Sequence, residues 1–157
     1  QQAYYNDIED YNPKEDEFNT YLDSLTKAFP DDPELLVYKT EFAYGDSAIT
    51  LIHRIITDSE QNPEKWKHIA FWKLYEKLAN AYSSVDSMSM SIKYGLMAIK
   101  LNDTLDLSIS LARQYQTIKQ NHKAISILEK YLDSTNSGWE LSQKGELLLE
   151  LAFLIKH

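Results

Sequence analysis

Side chains at residues 71–102 alternate between apolar and polar with the spacing of a helix. Positions three or four apart lie on one face of an α-helix, and the small or apolar residues of this stretch recur at that spacing in both of its halves. They are Trp72, Tyr75, Leu78, Ala79 and Tyr82, then Ser91, Ile92, Gly95, Ala98 and Ile99. The periodicity is interrupted at residues 84–87. The pattern therefore predicts two helices joined by a tight turn.

The same pattern returns further along the chain, in residues 105–136. There Ala112 corresponds to Ala79, and Tyr115 corresponds to Tyr82. We call this offset, from Ala79 to Ala112, the repeat interval. One more repeat interval along the chain, Gly145 occupies the column of the two alanines. One helix pair cannot bury both of its apolar faces, so we expect neighbouring units of the same kind to stack on it.

A helix-turn-helix unit of this length, with small residues where helices cross and a tyrosine three positions later, resembles the tetratricopeptide repeat. The resemblance extends from about residue 29 to the C-terminus. It implies an all-α, right-handed superhelix of about eight helices that binds segments of other proteins. The chain departs from the family pattern at the closing proline, which is replaced by Asp103 and Asn136, and at Lys144 in an apolar column.

Three proline-containing start signals divide the first half of the chain. Asn12-Pro13, Asp32-Pro33 and Asn62-Pro63 each combine a capping residue with a proline at the first helical position. They predict helices over residues 13–29, 33–42 and 63–84, and Gly45-Asp46 predicts a turn before a helix through residues 48–56. A terminal helix is predicted over residues 139–156, after the break at Ser137-Gly138.

Together these elements predict one helical domain over residues 13–157, preceded by an acidic and flexible arm over residues 1–12. The repeat-like units would span residues 29–62, 63–102 and 105–136, and the helix over 139–156 would end the domain. Only four glycines and four prolines are present. A sheet protein needs more turn residues than this, so the composition also favours an all-α fold.

The formal charge of −8 is concentrated at the N-terminal end. Residues 1–34 contain ten acidic residues and two lysines, and the rest of the chain balances at fourteen acids against fourteen bases. Nucleic-acid binding requires a basic face, so no nucleic-acid partner is predicted. The apolar runs are far shorter than the roughly 20 residues of a membrane helix, so no membrane insertion is predicted for this fragment.

Sequence motifs for catalysis and cofactor binding are missing. The chain has no cysteine, no glycine-rich phosphate loop, no Gly-x-Ser-x-Gly and no His-Glu-x-x-His. Its histidines are His53, His68, His122 and His157. None is four residues from another, which is the spacing of a helical metal site. We therefore predict no enzymatic activity, no cofactor and no metal.

The aromatic residues divide into two groups. Trp72, Tyr75 and Tyr82 recur at helical spacing and are predicted to be mainly core. Trp66 and Trp139 lie near predicted helix starts and are predicted to be more open to a partner.

The resemblance also implies a binding surface on the concave side, built from the first helix of each pair. The side chains expected there are Lys73, Glu76, Asn80, Asp106, Arg113, Gln116, Trp139 and Glu146. Amide, guanidinium and carboxylate groups of this kind suit an extended peptide, whose backbone needs hydrogen-bond partners. Asn80, Arg113 and Glu146 share one column and would form a row, although Arg113 paired with a nearby acid such as Glu146 is the alternative.

One ligand class of the family is disfavoured by the sequence. Family members that grip the C-terminal carboxylate of chaperones use a clamp of lysine and asparagine. Asn80 matches one clamp position, but Glu76 replaces the lysine and Ser110 replaces the second asparagine. A chaperone carboxylate is therefore not the expected ligand.

Two functional interpretations remain. The first is a non-enzymatic scaffold that binds a protein or peptide in the concave groove. The second is an extracytoplasmic sensory or regulatory domain from a larger bacterial signalling protein or lipoprotein, which fits a chain that starts at Gln1 without methionine. In the terminal helix, Leu147, Phe153 and Leu154 lie opposite the main apolar stripe, which predicts self-association or a continuation of the chain.

Overall fold

The computed structural model describes residues 13–130, 149–150, 152–153 and 155, and these residues are helical or lie in the connections between helices. The described residues form eight named helices and no strand. The helices are α1 (Pro13–Ala28), α2 (Pro33–Lys39), α3 (Gly45–Gln61), α4 (Pro63–Trp66), α5 (Phe71–Ser84), α6 (Met88–Leu101), α7 (Leu105–Thr117) and α8 (Asn121–Glu129). Residues 149–150, 152–153 and 155 are helical as well. The predicted all-α class is confirmed, whereas the predicted arm over residues 1–12 lies outside the described residues.

Capping side chains explain two of the helix starts. The Asp32 carboxylate accepts a hydrogen bond from the backbone N–H of Leu35 at 2.9 Å, and Pro33 follows as the first residue of α2. The hydroxyl of Thr104 accepts a bond from the backbone N–H of Leu107 at the start of α7. Each cap satisfies a backbone donor that has no partner within its own helix.

The predicted single helix over residues 63–84 is wrong. The chain forms the short helix α4, leaves helical geometry after Trp66 and begins α5 at Phe71. The prediction of an open Trp66 is wrong too, because this side chain is only 1% exposed. Its indole Nε1–H donates to a carboxylate oxygen of Asp58 on α3 at 2.8 Å. Packing the indole against α3 redirects the chain before α5 begins.

The turn predicted at Gly45-Asp46 lies before these residues, because α2 ends at Lys39 and α3 begins at Gly45. Gly45 is the first residue of α3, with Tyr44 at the N-cap, and its φ of 51° lies in the left-handed region that glycine adopts at little cost. The preceding helix is also shorter than predicted, since α2 ends at Lys39 rather than near residue 42.

The core consists of two hydrophobic clusters that meet at α6. Tyr94 of α6 belongs to a cluster with side chains from α2, α3, α4 and α5, whereas Ile92 of the same helix belongs to a cluster with α7 and α8. Tyr75 and Tyr82 pack against the first cluster, which confirms their predicted place in the core, and Trp72 is half-buried. The short turns make α5 and α6 an antiparallel pair, and likewise α7 and α8.

The two helix pairs have matching turns. Asp86 and Lys119, which are one repeat interval apart, both have positive φ, at 57° and 59°. The backbone N–H of Ser87 bonds to the carbonyl of Tyr82, and the N–H of Gln120 bonds to the carbonyl of Tyr115, each at 2.9 Å. The break predicted at residues 84–87 is therefore confirmed, and its backbone geometry recurs at the period read from the sequence.

Ala79 and Ala112, the corresponding small residues of the two repeat units, are 2% and 1% exposed, so both lie in the interior. Helix α6 approaches α7 closely at Gly95, where a β-carbon would lie 3.1 Å from Cδ1 of Leu111. None of the described helices is both long and apolar enough to cross a membrane.

Candidate functional site

A polar cavity of about 350 Å³ lies between α5 and α7. Its described lining residues are Asn80 and Ser83 of α5, and Asp106, Ile109, Ser110, Arg113, Gln114 and Thr117 of α7. Ile109 is buried, whereas Asn80, Asp106 and Arg113 are exposed. The cavity thus brings together three residues that the sequence placed on one binding surface.

Two further cavities adjoin it and extend it across the helices. The first has a volume of about 220 Å³, shares Asn80, and reaches Glu41, Tyr44 and Lys77 near the connection between α2 and α3. The second, of about 560 Å³, shares Arg113 and Thr117. Its other described lining residues are Gln116, Leu149, Glu150 and Phe153. The walls of these two cavities are mainly apolar, and we call the run of three adjoining cavities the polar groove after the central one.

Arg113 forms an ion pair at the boundary between two of the cavities. Its Nε donates to Oε1 of Glu150 at 2.9 Å, and its Nη2 donates to the same oxygen. The sequence suggested Glu146 as the acidic neighbour, but that residue lies outside the described part of the chain. Glu150 is one helical turn further along the same predicted helix, which is why spacing alone did not single it out.

Lys77, which lines the cavity at the other end of the groove, also forms an ion pair with a carboxylate. The ammonium of Lys77 lies 2.6 Å from a carboxylate oxygen of Glu41, and both side chains are only partly exposed. Asp106 has no ion pair or hydrogen bond of its side chain within the described residues. Among the described lining residues, Asp106 is therefore a charged side chain without an ion pair.

Glu76 of α5 is half-buried. Loss of hydration on burial raises the pKa of the Glu76 carboxyl above its usual range, and the negative charge of Asp106 raises it further. The positive charges of Lys77 and Lys73 act in the opposite direction without cancelling these effects. The lysines of α5 and the Asp106 carboxylate of α7 therefore act on the Glu76 carboxyl in opposite directions.

The remaining predicted residues occupy different places. Lys73 is exposed, and its ammonium lies 5.5 Å from the centroid of the Trp72 ring. Gln116 is half-buried and lines the third cavity. Trp139 and Glu146 lie outside the described residues, so the structure does not place them.

Gln114 is a lining residue that the sequence analysis missed. It is only 6% exposed, and its Oε1 has no hydrogen-bond partner among the described side chains and backbone. It stands one repeat interval after Ala81, which is buried at 7% exposure. In the sequence, the signal for Gln114 was a polar residue in the column of the buried Ala81. A buried amide without a hydrogen-bond partner destabilises the fold, so such a residue is unusual in an apolar column.

Another cavity, of about 660 Å³, lies among α1, α2 and α3. Apolar side chains form much of its wall, and the Asp23–Lys39 ion pair lies on its edge. The described lining residues are Leu22, Asp23, Lys39, Phe42, Ala43, Asp46, Ser47, Thr50, Leu51 and Arg54. The polar groove is the better candidate for a peptide, because its central cavity offers amide, hydroxyl and carboxylate groups to a backbone.

The chain matches no protein-family model and no curated protein sequence. Within the described residues, no group of three or more histidine, aspartate or glutamate side chains could hold a metal ion. The geometry of the polar groove is therefore the basis for a functional inference.

Proposed function

We propose that the chain is a tetratricopeptide-like repeat protein that binds an extended peptide segment of a partner in the polar groove. In this proposal the helix pairs stack as a right-handed superhelix, and the protein acts as a scaffold without catalysing a reaction. The matching turns at Asp86 and Lys119 support a repeated unit, because the same backbone bonds recur after one repeat interval.

The observation that carries the proposal is the continuity of the groove across α5 and α7. Asn80 and Arg113 are one repeat interval apart, and each lines two adjoining cavities. Both side chains are exposed, and they supply hydrogen-bond donors in equivalent positions of two helix pairs. An extended peptide presents donors and acceptors at regular intervals, so a run of such positions matches it better than a compact ligand.

A displayed library of random twelve-residue peptides, selected on the full chain, tests the proposal. For the selected peptides, the double variant Asn80→Ala and Arg113→Ala should weaken binding by about 1 to 3 kcal/mol, measured by fluorescence anisotropy. Arg113→Ala also removes the ion-pair partner of Glu150, whose side chain is only 16% exposed, so thermal unfolding must establish that the double variant is folded before its binding is compared.

Arg54→Ala is the matched control. Arg54 is likewise an exposed arginine in an ion pair, with Asp31, and it lies outside the polar groove. This variant should bind the selected peptides as the parent does. Equal losses in the two variants, or no loss in the double variant, would place the peptides elsewhere and end the proposal.

A further inference from the structure

An ion pair joins two walls of the polar groove. Arg113 of α7 lines both the central cavity and the cavity of about 560 Å³ beside it, and Glu150 lines the second cavity from its other wall. The guanidinium donates from Nε to Oε1 of Glu150 at 2.9 Å, and from Nη2 to the same oxygen. The bonded pair therefore spans the groove where one cavity meets the next.

The two partners of this pair differ in exposure. The side chain of Arg113 is 58% exposed, whereas that of Glu150 is 16% exposed. Arginine has a long side chain with many rotamers, so an exposed guanidinium can turn towards solvent without a change in the backbone. The pair can therefore open by a movement of Arg113 alone, while Glu150 keeps its place in the wall.

We propose that the Arg113–Glu150 pair is a strap across the polar groove, which is closed in the free protein and opens when a peptide binds. The inference rests on the proposed function, and it adds a regulatory contact to the same site. It also explains how an arginine that is already paired binds a ligand. The peptide takes the place of Glu150 at the guanidinium.

Opening the strap leaves two groups that the peptide must satisfy. Once Arg113 turns away, the partly buried carboxylate of Glu150 has lost its cation, and such a group is destabilising. An extended peptide carries N–H donors for this carboxylate and carbonyl acceptors for the guanidinium. The peptide backbone and the strap therefore compete for the same atoms.

The ion pair at the other end of the groove has a different position. Lys77 pairs with Glu41 in the third cavity, and neither residue is among the described lining residues of the central cavity. Asn80 is the side chain that these two cavities share, and it is uncharged. Within the described lining, the Arg113–Glu150 pair is therefore the ion pair that lies between cavities.

Glu150→Gln tests the strap. Glutamine has the shape of glutamate and keeps an oxygen that accepts a peptide N–H, but without the negative charge its bond to Arg113 is weaker. The probe is a twelve-residue peptide selected on the full chain from a library of uncharged residues, with blocked ends, so that ligand charge plays no part. Its affinity for Glu150→Gln should be about fivefold higher than for the parent, measured by fluorescence anisotropy.

Asp31→Asn is the matched control. Asp31 pairs with Arg54 and is not among the described lining residues of the polar groove. This variant also removes one carboxylate from an arginine, but it should leave the affinity for the peptide unchanged. Thermal unfolding of both variants establishes that they are folded before binding is measured. Arg113→Ala does not replace this test, because it removes the strap and a ligand contact together.

The side-chain NMR signals of arginine report on the strap directly. The chain has two arginines, Arg54 and Arg113, so a ¹⁵N-labelled sample of the parent gives two Nε–H signals, which Arg54→Lys assigns. Because the peptide replaces Glu150 at the guanidinium, its addition should shift the Arg113 signal. The Arg54 signal should stay in place.

The outcomes keep the two proposals apart. Suppose that the double variant Asn80→Ala and Arg113→Ala weakens binding. The strap is then overturned if Glu150→Gln binds no more tightly than the parent, if Asp31→Asn gains as much, or if the Arg113 signal does not move. It is also overturned if only charged peptides are selected, and in all these cases the proposed function stands. If neither library yields a peptide, or if the double variant binds as the parent does, both proposals fail.

Discussion

Ser91 has a fully buried hydroxyl in α6 with no hydrogen-bond partner in the described structure. The sequence placed Ser91 in the small column of the second helix, and Ala124 occupies that column one repeat interval later at 0% exposure. The hydroxyl therefore contributes a desolvation cost without a compensating bond. Small size, rather than polarity, is what this position requires.

We expect Ser91→Ala to stabilise the protein by about 1 kcal/mol, because it removes the unsatisfied hydroxyl and improves helix propensity. The reciprocal change Ala124→Ser should destabilise it by a similar amount. Urea denaturation of both variants measures these differences. A loss of stability in Ser91→Ala would mean that the hydroxyl is hydrogen-bonded in solution, through a buried water for example.

Helix α4 has four residues and is held by contacts to α3 rather than by its own length. Asp58 of α3 accepts hydrogen bonds from Lys65 at 2.6 Å, from the Trp66 indole at 2.8 Å and from Asn62 at 2.7 Å. These bonds, the one from Lys65 first, lower the pKa of the Asp58 carboxyl to about 2. One carboxylate of α3 thus holds α4 through several hydrogen bonds.

This arrangement predicts a pH dependence of stability. The pKa of Asp58 is about 2 when folded, against an ordinary value of 3.8, so its ionised form favours the folded state above pH 3.8, and this contribution is lost as the pH falls towards 2. Asp58→Asn should therefore lower the melting temperature at pH 6, and the difference from the parent should shrink between pH 4 and pH 2. A difference that stays constant over this range would contradict the assignment.

Helix α6 joins the two hydrophobic clusters of the core. Its residues contribute to both hydrophobic clusters, and Gly95 allows a close approach to α7. A substitution that destabilises one cluster should therefore also destabilise the other, as expected when stability comes from interfaces between neighbouring units.

Ala112→Leu tests this coupling. Ala112 is 1% exposed, so the larger side chain should overpack the second cluster and cost about 1 to 3 kcal/mol. Native-state hydrogen exchange should show that the slowest amides of α5 lose as much protection as those of α7. Ala28→Leu, at an exposed position of α1, should change stability by less than about 0.5 kcal/mol. Loss of protection confined to α7 and α8 would show that the clusters unfold separately.

Local patterns were sufficient for the class of the fold and for several helix starts. Helical spacing and the break at residues 84–87 predicted the α5–α6 pair, because side-chain periodicity and turn geometry are properties of a short stretch of chain. The repeat interval likewise placed Asn80 and Arg113 in equivalent positions, and both line the polar groove. Start signals at Pro13 and Pro33 predicted the first residues of α1 and α2.

What the sequence could not decide depends on contacts between residues distant along the chain. Trp66 follows a start signal and continues a helical pattern, yet α4 ends at this residue, and its buried indole bonds to Asp58 of α3. Arg113 pairs with Glu150, 37 residues away, which the repeat column of Arg113 did not indicate. In each case several partners satisfy the local pattern equally well, and only the packing of the helices brings one donor and one acceptor within hydrogen-bond distance.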